Sequence, residues 1–206
     1  MKQAFFITGT DTGIGKTYVA CQLIRQYVAQ GYRVVGMKPV AAGCDLIDGQ
    51  WVNEDVRLLS EASNVDAPLH LVNPYCFQAP IAPHIAAQQE QVDIQLEVIV
   101  QAYQALAELA DIVVVEGAGG LLVPLNHEIT MAELASAFNI PIVLVVGMRL
   151  GCINHALLSL EVMQARGIPI QAWVANPIDP AMQCYAENLA TLQYHFKGIQ
   201  QLQFER

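Results

Sequence analysis

Five short, nearly continuous apolar segments alternate with longer segments of helical period, and few architectures accommodate that alternation. Strands covered on both faces read as continuous apolar runs, and parallel strands need crossover connections between them. We therefore predict an α/β fold in which a mostly parallel sheet is flanked by helices on both faces. The predicted strands are residues 4–8, 33–38, 112–116, 142–146 and 170–175, and the predicted helices are residues 17–30, 55–63, 94–109, 131–138, 154–166 and 181–194.

The chain of 206 residues is predicted to form one domain, because domains usually contain about 100–200 residues. Residues 39–91 are less regular than the remainder and contain several prolines. We interpret this segment as an elaborated layer of loops and helices within a single domain, residues 1–206, rather than as a second domain.

Composition excludes several classes of partner. The net charge is −9, from 10 Lys and Arg against 19 Asp and Glu, and the sequence contains no cluster of basic residues. This charge argues against nucleic acid and against an anionic membrane surface. The most apolar stretch, residues 140–148, is far shorter than the ~18 residues of a spanning helix. No signal-peptide pattern opens the chain, so we expect a cytoplasmic protein without membrane contact.

The five cysteines are widely spaced, and no two of them form a CxxC motif. An odd number of cysteines without close pairs is typical of reduced thiols in a reducing compartment. We therefore predict five reduced thiols and no structural zinc site. The cysteines are Cys21, Cys44, Cys76, Cys152 and Cys184.

A glycine-rich loop, GTDTGIGKT at residues 9–17, lies between the first predicted strand and the first predicted helix. In that context backbone amides and the helix N-terminus can face a phosphate chain, the lysine can reach its β- and γ-phosphates, and the threonine can bind Mg²⁺. The first glycine stands one position earlier than in the pattern GxxxxGK[ST], and an ordinary glycine-rich turn is the alternative. The predicted contacts to ATP are Gly13, Ile14, Gly15, Lys16, Thr17 and Tyr18.

Two carboxylates are predicted to complete this site. Glu116 ends the third predicted strand and precedes three small residues, Gly117, Ala118 and Gly119, which leave room for phosphate. Ligands of open α/β sheets bind at the carboxyl ends of strands, so Glu116 is a predicted Mg²⁺ ligand, with a surface carboxylate as the alternative. Asp55 begins a helix and is a further predicted Mg²⁺ ligand, although a role at the helix dipole is an equal alternative.

Lys38 ends the second predicted strand within an otherwise apolar run. Lysine is almost never fully buried unless it is paired or functional. Beside a triphosphate, a fixed ammonium group could stabilise charge that develops on a transferring phosphoryl group. The alternative is a lysine at the sheet edge that extends its ammonium group to solvent.

Together these segments resemble the dethiobiotin synthetase family. The resemblance implies a P-loop fold and a homodimer, with an ATP-dependent ring closure of 7,8-diaminononanoate and CO₂. The implied reaction would proceed through a carbamate and its mixed anhydride with phosphate, as the penultimate step of biotin synthesis. The matching segments are residues 9–17, 38–40 (KPV), 73–75 (NPY), 83–84 (PH), 115–120 (VEGAGG), 145–147 (VVG), 150–155 (LGCINH) and 173–176 (WVAN).

The resemblance also implies individual roles. Lys38 and Lys16 would be catalytic, and residues 116–119 would line the nucleotide. Asn176 and Pro177 would contact the adenine. The amides that open the helix after residue 150 would bind the substrate carboxylate across a dimer interface, where simple N-capping by Asn154 is the alternative. The implied substrate contacts are Thr12, Lys38, Ala42, Gly151, Cys152, Ile153 and Asn154.

Two departures from the family pattern affect these expectations. Family members commonly have a substrate-contacting serine where this chain has Ala42, and one lost hydroxyl contact weakens binding by ~1 kcal/mol. They also carry a further C-terminal strand and loop over the adenine, which residues 197–206 do not supply. We therefore expect either relaxed base selectivity or a rebuilt adenine pocket.

Two other functions share the loop motif. Dimeric ATPase switches of the partitioning or division-site type carry a second lysine in KGGxGKT, where this chain has Asp11. They also often present a basic or amphipathic surface, which a net charge of −9 does not favour. Glutamine-dependent ligases of the same superfamily need an amidotransferase domain, and we expect none within these 206 residues.

Overall fold

The computed structural model describes residues 3–204. Six parallel strands form one sheet with helices on both faces, which confirms the predicted α/β fold. The strands are β1 (Gln3–Gly9), β2 (Val34–Met37), β3 (Val40–Ala42), β4 (Asp45–Ile47), β5 (Gln50–Val52), β6 (Tyr75–Phe77), β7 (Ile112–Glu116), β8 (Ile142–Met148), β9 (Ile170–Pro177) and β10 (Gln200–Gln201). The order in the main sheet is β10, β9, β8, β1, β7, β2.

Helices cover both faces because the central strands bury side chains on both. In β1, Phe5 and Ile7 join one apolar cluster and Phe6 joins the other. Among the helices within residues 3–204, none has both the length and the apolar character needed to cross a membrane. The helices are α1 (Lys16–Ala29), α2 (Glu54–Ala62), α3 (Leu69–Val72), α4 (Pro83–Gln89), α5 (Leu96–Leu109), α6 (Met131–Phe138), α7 (Cys152–Ala165) and α8 (Tyr185–His195).

Strand β2 lies at one edge of the main sheet, and its outward amides are satisfied from the segment after α2. The Val34 amide donates to Asn64 Oδ1 at 2.7 Å, and the Gly36 amide donates to Ser63 Oγ at 2.9 Å. The Lys38 amide, one residue beyond the strand, donates to the Val72 carbonyl at 2.8 Å. An edge covered in this way cannot pair with another strand, and the backbone that presents Lys38 is held on both sides.

The elaborated layer at residues 39–91 contains two small sheets beside the main one. Strands β3 and β6 pair in parallel, and β4 and β5 form an antiparallel hairpin. These strands have three residues each, which is too short for a hydrophobic period to reveal them in the sequence.

The prediction of five reduced thiols is wrong for Cys44 and Cys76, which form a disulfide. The two residues are 32 positions apart and meet because β3 and β6 pair, with Ala41 directly opposite Cys76. Sequence spacing alone could not show this contact. The other three cysteines are free, and burial raises the pKa of Cys21 to about 11, which makes it a poor nucleophile at neutral pH.

Reduction of this disulfide should lower the free energy of unfolding by about 2–4 kcal/mol, because the bridge closes a long loop in the unfolded chain. Urea unfolding with and without dithiothreitol measures the change. The double variant Cys44→Ser/Cys76→Ser should match the reduced wild type and be insensitive to dithiothreitol. Cys184→Ser, which alters an exposed free cysteine, is the matched control and should retain the wild-type response. An unchanged midpoint on reduction of the wild type would contradict the prediction.

Candidate active site

A cavity of about 530 Å³ lies where β1, β2 and β7 end. Loops that follow parallel strands meet at this edge, which is where α/β sheets bind their ligands. The lining brings together most of the residues that the sequence singles out. These residues are Thr12, Gly13, Gly15, Lys16, Thr17, Lys38, Ala42, Asp55, Glu116, Ala118 and Gly119.

The glycine-rich loop wraps into the start of α1. Gly15 is the N-cap of α1 with φ +87°, a conformation that favours glycine, and a Cβ there would lie 2.2 Å from Asn176 Nδ2. Asn176 is buried at the end of β9 and donates from Nδ2 to the Ile14 carbonyl at 2.7 Å. Lys16 Nζ donates to the Asp11 carbonyl at 2.8 Å. One contact within the loop and one from β9 therefore fix the conformation of the loop.

Lys38 lies at the centre of an ion cluster in the cavity wall. Its side chain is only 6% exposed, and Nζ donates to Glu116 Oε1 at 2.6 Å and to Asp55 Oδ2 at 2.9 Å. The Thr17 hydroxyl lies 2.7 Å from Asp55 Oδ1 and 2.9 Å from Glu116 Oε1. Four side chains from α1, β7, α2 and the end of β2 thus converge on one point. The interpretation of Lys38 as a solvent-reaching lysine is wrong, and so is that of Glu116 as a surface carboxylate.

The ionisation of this cluster follows from burial and mutual attraction. Burial lowers the pKa of Lys38, but the Glu116 and Asp55 carboxylates outweigh it and hold that pKa above its ordinary value. Burial raises the pKa of Glu116, and Lys38 only partly offsets the rise. Burial also lowers the pKa of Lys16 to about 8, helped by the nearby Lys38 ammonium group. Lys38 is therefore the cation that stays charged throughout the neutral range, whereas Lys16 is close to titration.

One oxygen of the cluster has no partner within residues 3–204. Glu116 Oε2 is buried and receives no hydrogen bond, whereas Oε1 is bonded to Lys38 and Thr17. A buried carboxylate oxygen without a donor is unfavourable, and a bound cation is one arrangement that satisfies it. The described residues contain no cluster of three or more His, Cys, Asp or Glu side chains that could hold a metal by themselves. A cation here would need ligands from a bound molecule.

Other predicted site residues lie outside the cavity lining. Gly151 is the N-cap of α7, with φ +94°, so the alternative in which Asn154 caps this helix is wrong. Ile14 is buried beneath the loop, and Gly117 packs against Phe6. Their roles toward ligands stay predictions. The predicted residues that do not line the cavity are Ile14, Tyr18, Gly117, Asn176, Pro177, Gly151, Cys152, Ile153 and Asn154.

The cavity is also lined by residues that carry no predicted role. Residues 80–83 (PIAP) contribute one part, and Asn53, Val40 and Val123 contribute others. The apolar residues among these have no chemistry by which a sequence pattern could indicate a role in the site. Asn53, which precedes Glu54 and Asp55, had a recognisable N-cap signal and could have been selected.

Comparison with known proteins gives consistent results. The family described as an AAA domain matches residues 3–201. The ATP-dependent dethiobiotin synthetase BioD of Nitrosospira multiformis is 52% identical over 193 residues, which cover 94% of this chain and 84% of that protein. The protein of the same name from Aromatoleum aromaticum is 50% identical over 191 residues, 93% of this chain and 85% of the relative.

Among solved structures, the MinC:MinD cell division protein complex of Aquifex aeolicus is similar with a TM-score of 0.56. The match covers 97% of this chain and 79% of that chain, at 15% sequence identity. At this identity the similarity concerns the fold alone, which different functions share.

Proposed function

This chain belongs to the family of ATP-dependent dethiobiotin synthetases, and on that premise we propose that it converts 7,8-diaminononanoate, CO₂ and ATP to dethiobiotin, ADP and phosphate. The observation that carries the proposal is the buried Lys38 cluster, which shares one cavity with the phosphate loop. A cation fixed beside a phosphate site suits a reaction in which negative charge moves between oxygens.

The proposed reaction has three steps. One amine attacks CO₂ and loses a proton, which forms a carbamate. A carbamate oxygen then attacks the γ-phosphorus of ATP, and the bond to the ADP oxygen breaks, which gives a carbamic–phosphoric anhydride. The second amine attacks the carbamate carbon, phosphate leaves with the carbamate oxygen, and the ureido ring closes with loss of a proton.

The residues of this chain would serve that reaction by positioning and by electrostatics. The loop amides and Lys16 would hold the triphosphate at the N-terminus of α1. Lys38 Nζ would stabilise charge on the oxygens around the transferring phosphorus, because the surrounding carboxylates keep it protonated. A carbamate is a weak nucleophile and its anhydride hydrolyses readily, so the walls around Ala42 and residues 80–83 would exclude water.

The residues of the cluster also fit a Mg²⁺ ion. Thr17, Asp55 and Glu116 would hold it, and the buried Glu116 Oε2 would gain a partner. Magnesium is usually bound through one or two carboxylates together with substrate phosphates, which agrees with the small number of protein ligands here. When bound, the ion would neutralise charge on the β- and γ-phosphates and orient them.

Release of ADP tests the proposed function directly. Purified protein is supplied with MgATP and bicarbonate, with and without 7,8-diaminononanoate, and ADP is measured by a coupled assay. We expect release to depend on the diamine and dethiobiotin to appear in equal amount. ATP hydrolysis that is indifferent to the diamine would overturn the proposal and favour a nucleotide switch.

We propose that the protein works as a homodimer. Leu122 and Leu158 are 51% and 57% exposed, and Leu150, two residues before α7, is 95% exposed. Exposed leucines of this kind often mark a protein–protein contact. Leu122, Leu158 and His155 line an apolar groove that begins at the phosphate loop. Residues 151–154 do not line the cavity of their own chain, which supports a site whose substrate carboxylate is bound by the partner subunit. Light scattering should give the mass of two chains, and an active monomer would contradict this arrangement.

Nucleotide affinity should fall as pH rises through about 8. The pKa of Lys16 is lowered to about 8, so its ammonium group is lost above that pH, and a phosphate chain would restore the proton on binding. Well above that pH we expect dissociation constants to rise by about tenfold per pH unit, with one proton taken up per nucleotide. Calorimetry with ATPγS between pH 7 and pH 9.5, in buffers of different ionisation enthalpy, measures both quantities.

Lys16→Arg is the control for that experiment, because a guanidinium group stays protonated over the whole range. The variant should bind nucleotide with little dependence on pH between 7 and 9.5. A wild type with no proton uptake, or a variant with the same pH dependence as the wild type, would show that Lys16 is not the titrating group.

The proposed compartment is the cytoplasm, which supplies ATP and bicarbonate. The Cys44–Cys76 disulfide is uncommon there, because glutathione and thioredoxin reduce such bonds. The reduced form of the protein is therefore relevant to its activity, and assays should be run in both redox states.

A further inference from the structure

Asn53 is a buried asparagine that joins two walls of the cavity. Asn53 is 8% exposed and lines the cavity together with Ala42 and Asp55. Nδ2 donates to the Ala42 carbonyl and to the Gly43 carbonyl, both at 3.1 Å. Oδ1 accepts from the Asp55 amide at 3.0 Å, which makes Asn53 the N-cap of α2.

These contacts use both N–H donors and one of the two acceptor positions of the amide group. The two N–H donors fix the end of β3, and the oxygen fixes the first turn of α2. A serine, threonine or aspartate could cap the helix as well as asparagine does, but none of them supplies two donors from one nitrogen. The cap alone therefore does not require asparagine, whereas the two bonds to the backbone after β3 do.

Both elements that Asn53 joins carry residues of the proposed site. Ala42, at the end of β3, lines the cavity. Asp55, in the first turn of α2, binds Lys38 Nζ and the Thr17 hydroxyl. The phosphate loop is held by other contacts, from Lys16 Nζ to Asp11 and from Asn176 to Ile14. A change that removes the two donors of Asn53 but keeps the cap, and with it the place of Asp55 beside Thr17, should therefore move the β3 wall relative to Lys38 without moving the phosphate loop.

We propose that Asn53 is a positioning residue for the diamine substrate. It sets the separation between the β3 wall and the Lys38–Asp55 pair, acting through Ala42, Gly43 and Asp55 and not on the reacting atoms. This inference rests on the proposed function, since it names which of the two substrates depends on the residue.

The variant Asn53→Ser tests the proposal, because serine retains a capping oxygen and lacks the two donors. We expect the KM for 7,8-diaminononanoate to rise at least about tenfold, because the two hydrogen bonds that hold the β3 wall in place are lost. The KM for ATP should stay within about twofold, because the serine cap keeps Asp55 beside Thr17 and the phosphate loop keeps its contacts. Asn53→Asp keeps the cap and the side-chain size but places an acceptor against two carbonyls, so the KM for the diamine should rise further.

Asn64→Ser is the matched control. Asn64 also bridges two backbone segments, from Nδ2 to the Tyr32 carbonyl and from Oδ1 to the Val34 amide, at the opposite end of β2 from the cavity. This variant should lose stability without a change in either KM. Melting temperatures of all three variants show whether a kinetic effect merely follows loss of stability.

The kinetic results distinguish a failure of this inference from a failure of the proposed function. A diamine KM within about twofold of wild type in Asn53→Ser and Asn53→Asp would overturn the inference while leaving the proposed function intact. Equal rises in the KM for ATP and for the diamine would also overturn it, because they indicate general loosening of the fold. If wild type and Asn64→Ser both release ADP without regard to the diamine, the proposed function fails and this inference fails with it.

Discussion

Replacement of Lys38 with methionine should lower diamine-dependent turnover by about 10²–10³-fold while ATP still binds. Methionine has a similar length and no charge, so the cavity wall keeps its shape and loses the ammonium group that donates to Glu116 and Asp55. Binding of ATP should persist because the loop at residues 9–17 and Lys16 hold the phosphates independently of Lys38.

The same substitution should destabilise the protein in a pH-dependent manner. Without Lys38, Glu116 becomes a buried carboxylate whose attractive partner is gone, a change that typically destabilises by about 3–5 kcal/mol. Burial raises the pKa of Glu116, so the folded variant binds a proton more readily than the unfolded chain. Its stability should therefore be greatest at acidic pH and should fall as pH rises through the folded-state pKa.

A second substitution separates these two effects. Lys38→Met/Glu116→Gln removes both charges, so it should regain stability at neutral pH and stay inactive. Lys197→Met, which alters an exposed lysine near the end of α8, is the control for loss of a positive charge and should behave as wild type. Calorimetry with ATPγS, ADP release and thermal melts are the measurements. Loss of ATP binding in Lys38→Met would assign Lys38 to nucleotide capture, and turnover within tenfold of wild type would exclude it from the chemistry.

The main sheet could be predicted because its strands bury both faces. The predicted strand 112–116 coincides with β7, and the predicted helix 131–138 coincides with α6. Helix α8 begins at Tyr185, four residues later than the predicted start at 181. There, Asp179 accepts a hydrogen bond from the Ala181 amide at 2.9 Å, and this local turn replaces the first helical turn.

The chemical part of the site was predictable and its walls were not. Lys38 and Glu116 are charged residues that end apolar runs, and such a position indicates a function. Asp55 at a helix start was ambiguous, because a role at the helix dipole was an equal alternative. By contrast, the Cys44–Cys76 disulfide and the wall at residues 80–83 depend on the pairing of three-residue strands. The disulfide joins positions 32 residues apart, and the Gly43 amide donates to the Ala79 carbonyl just before the wall, so no local pattern encodes either contact.

Gly151–Asn154 lie outside the cavity of their own chain, so two different inactive variants should complement each other when they form one dimer. If these residues bind the substrate carboxylate, they act on the site of the partner subunit, so each site combines Lys38 of one chain with α7 of the other. Asn154→Asp should impair α7 in this role, because an added carboxylate repels the substrate carboxylate. It should not disturb folding, since an acidic residue is favourable in the first turn of a helix.

Heterodimers with one Lys38→Met subunit and one Asn154→Asp subunit should regain about half of the wild-type turnover, because one of their two sites is complete. Both substitutions in the same subunit, paired with a wild-type subunit, should give almost no activity, since each site then contains one defect. Differently tagged chains are co-expressed, and the heterodimers are isolated by successive affinity steps and assayed for ADP release. If each chain forms its own site, the opposite result is expected. The dimer of the doubly substituted subunit with a wild-type subunit would then keep half of the activity, and the dimer of the two single variants would have almost none. The arrangement of the site between two chains is thus decided by which heterodimer is active.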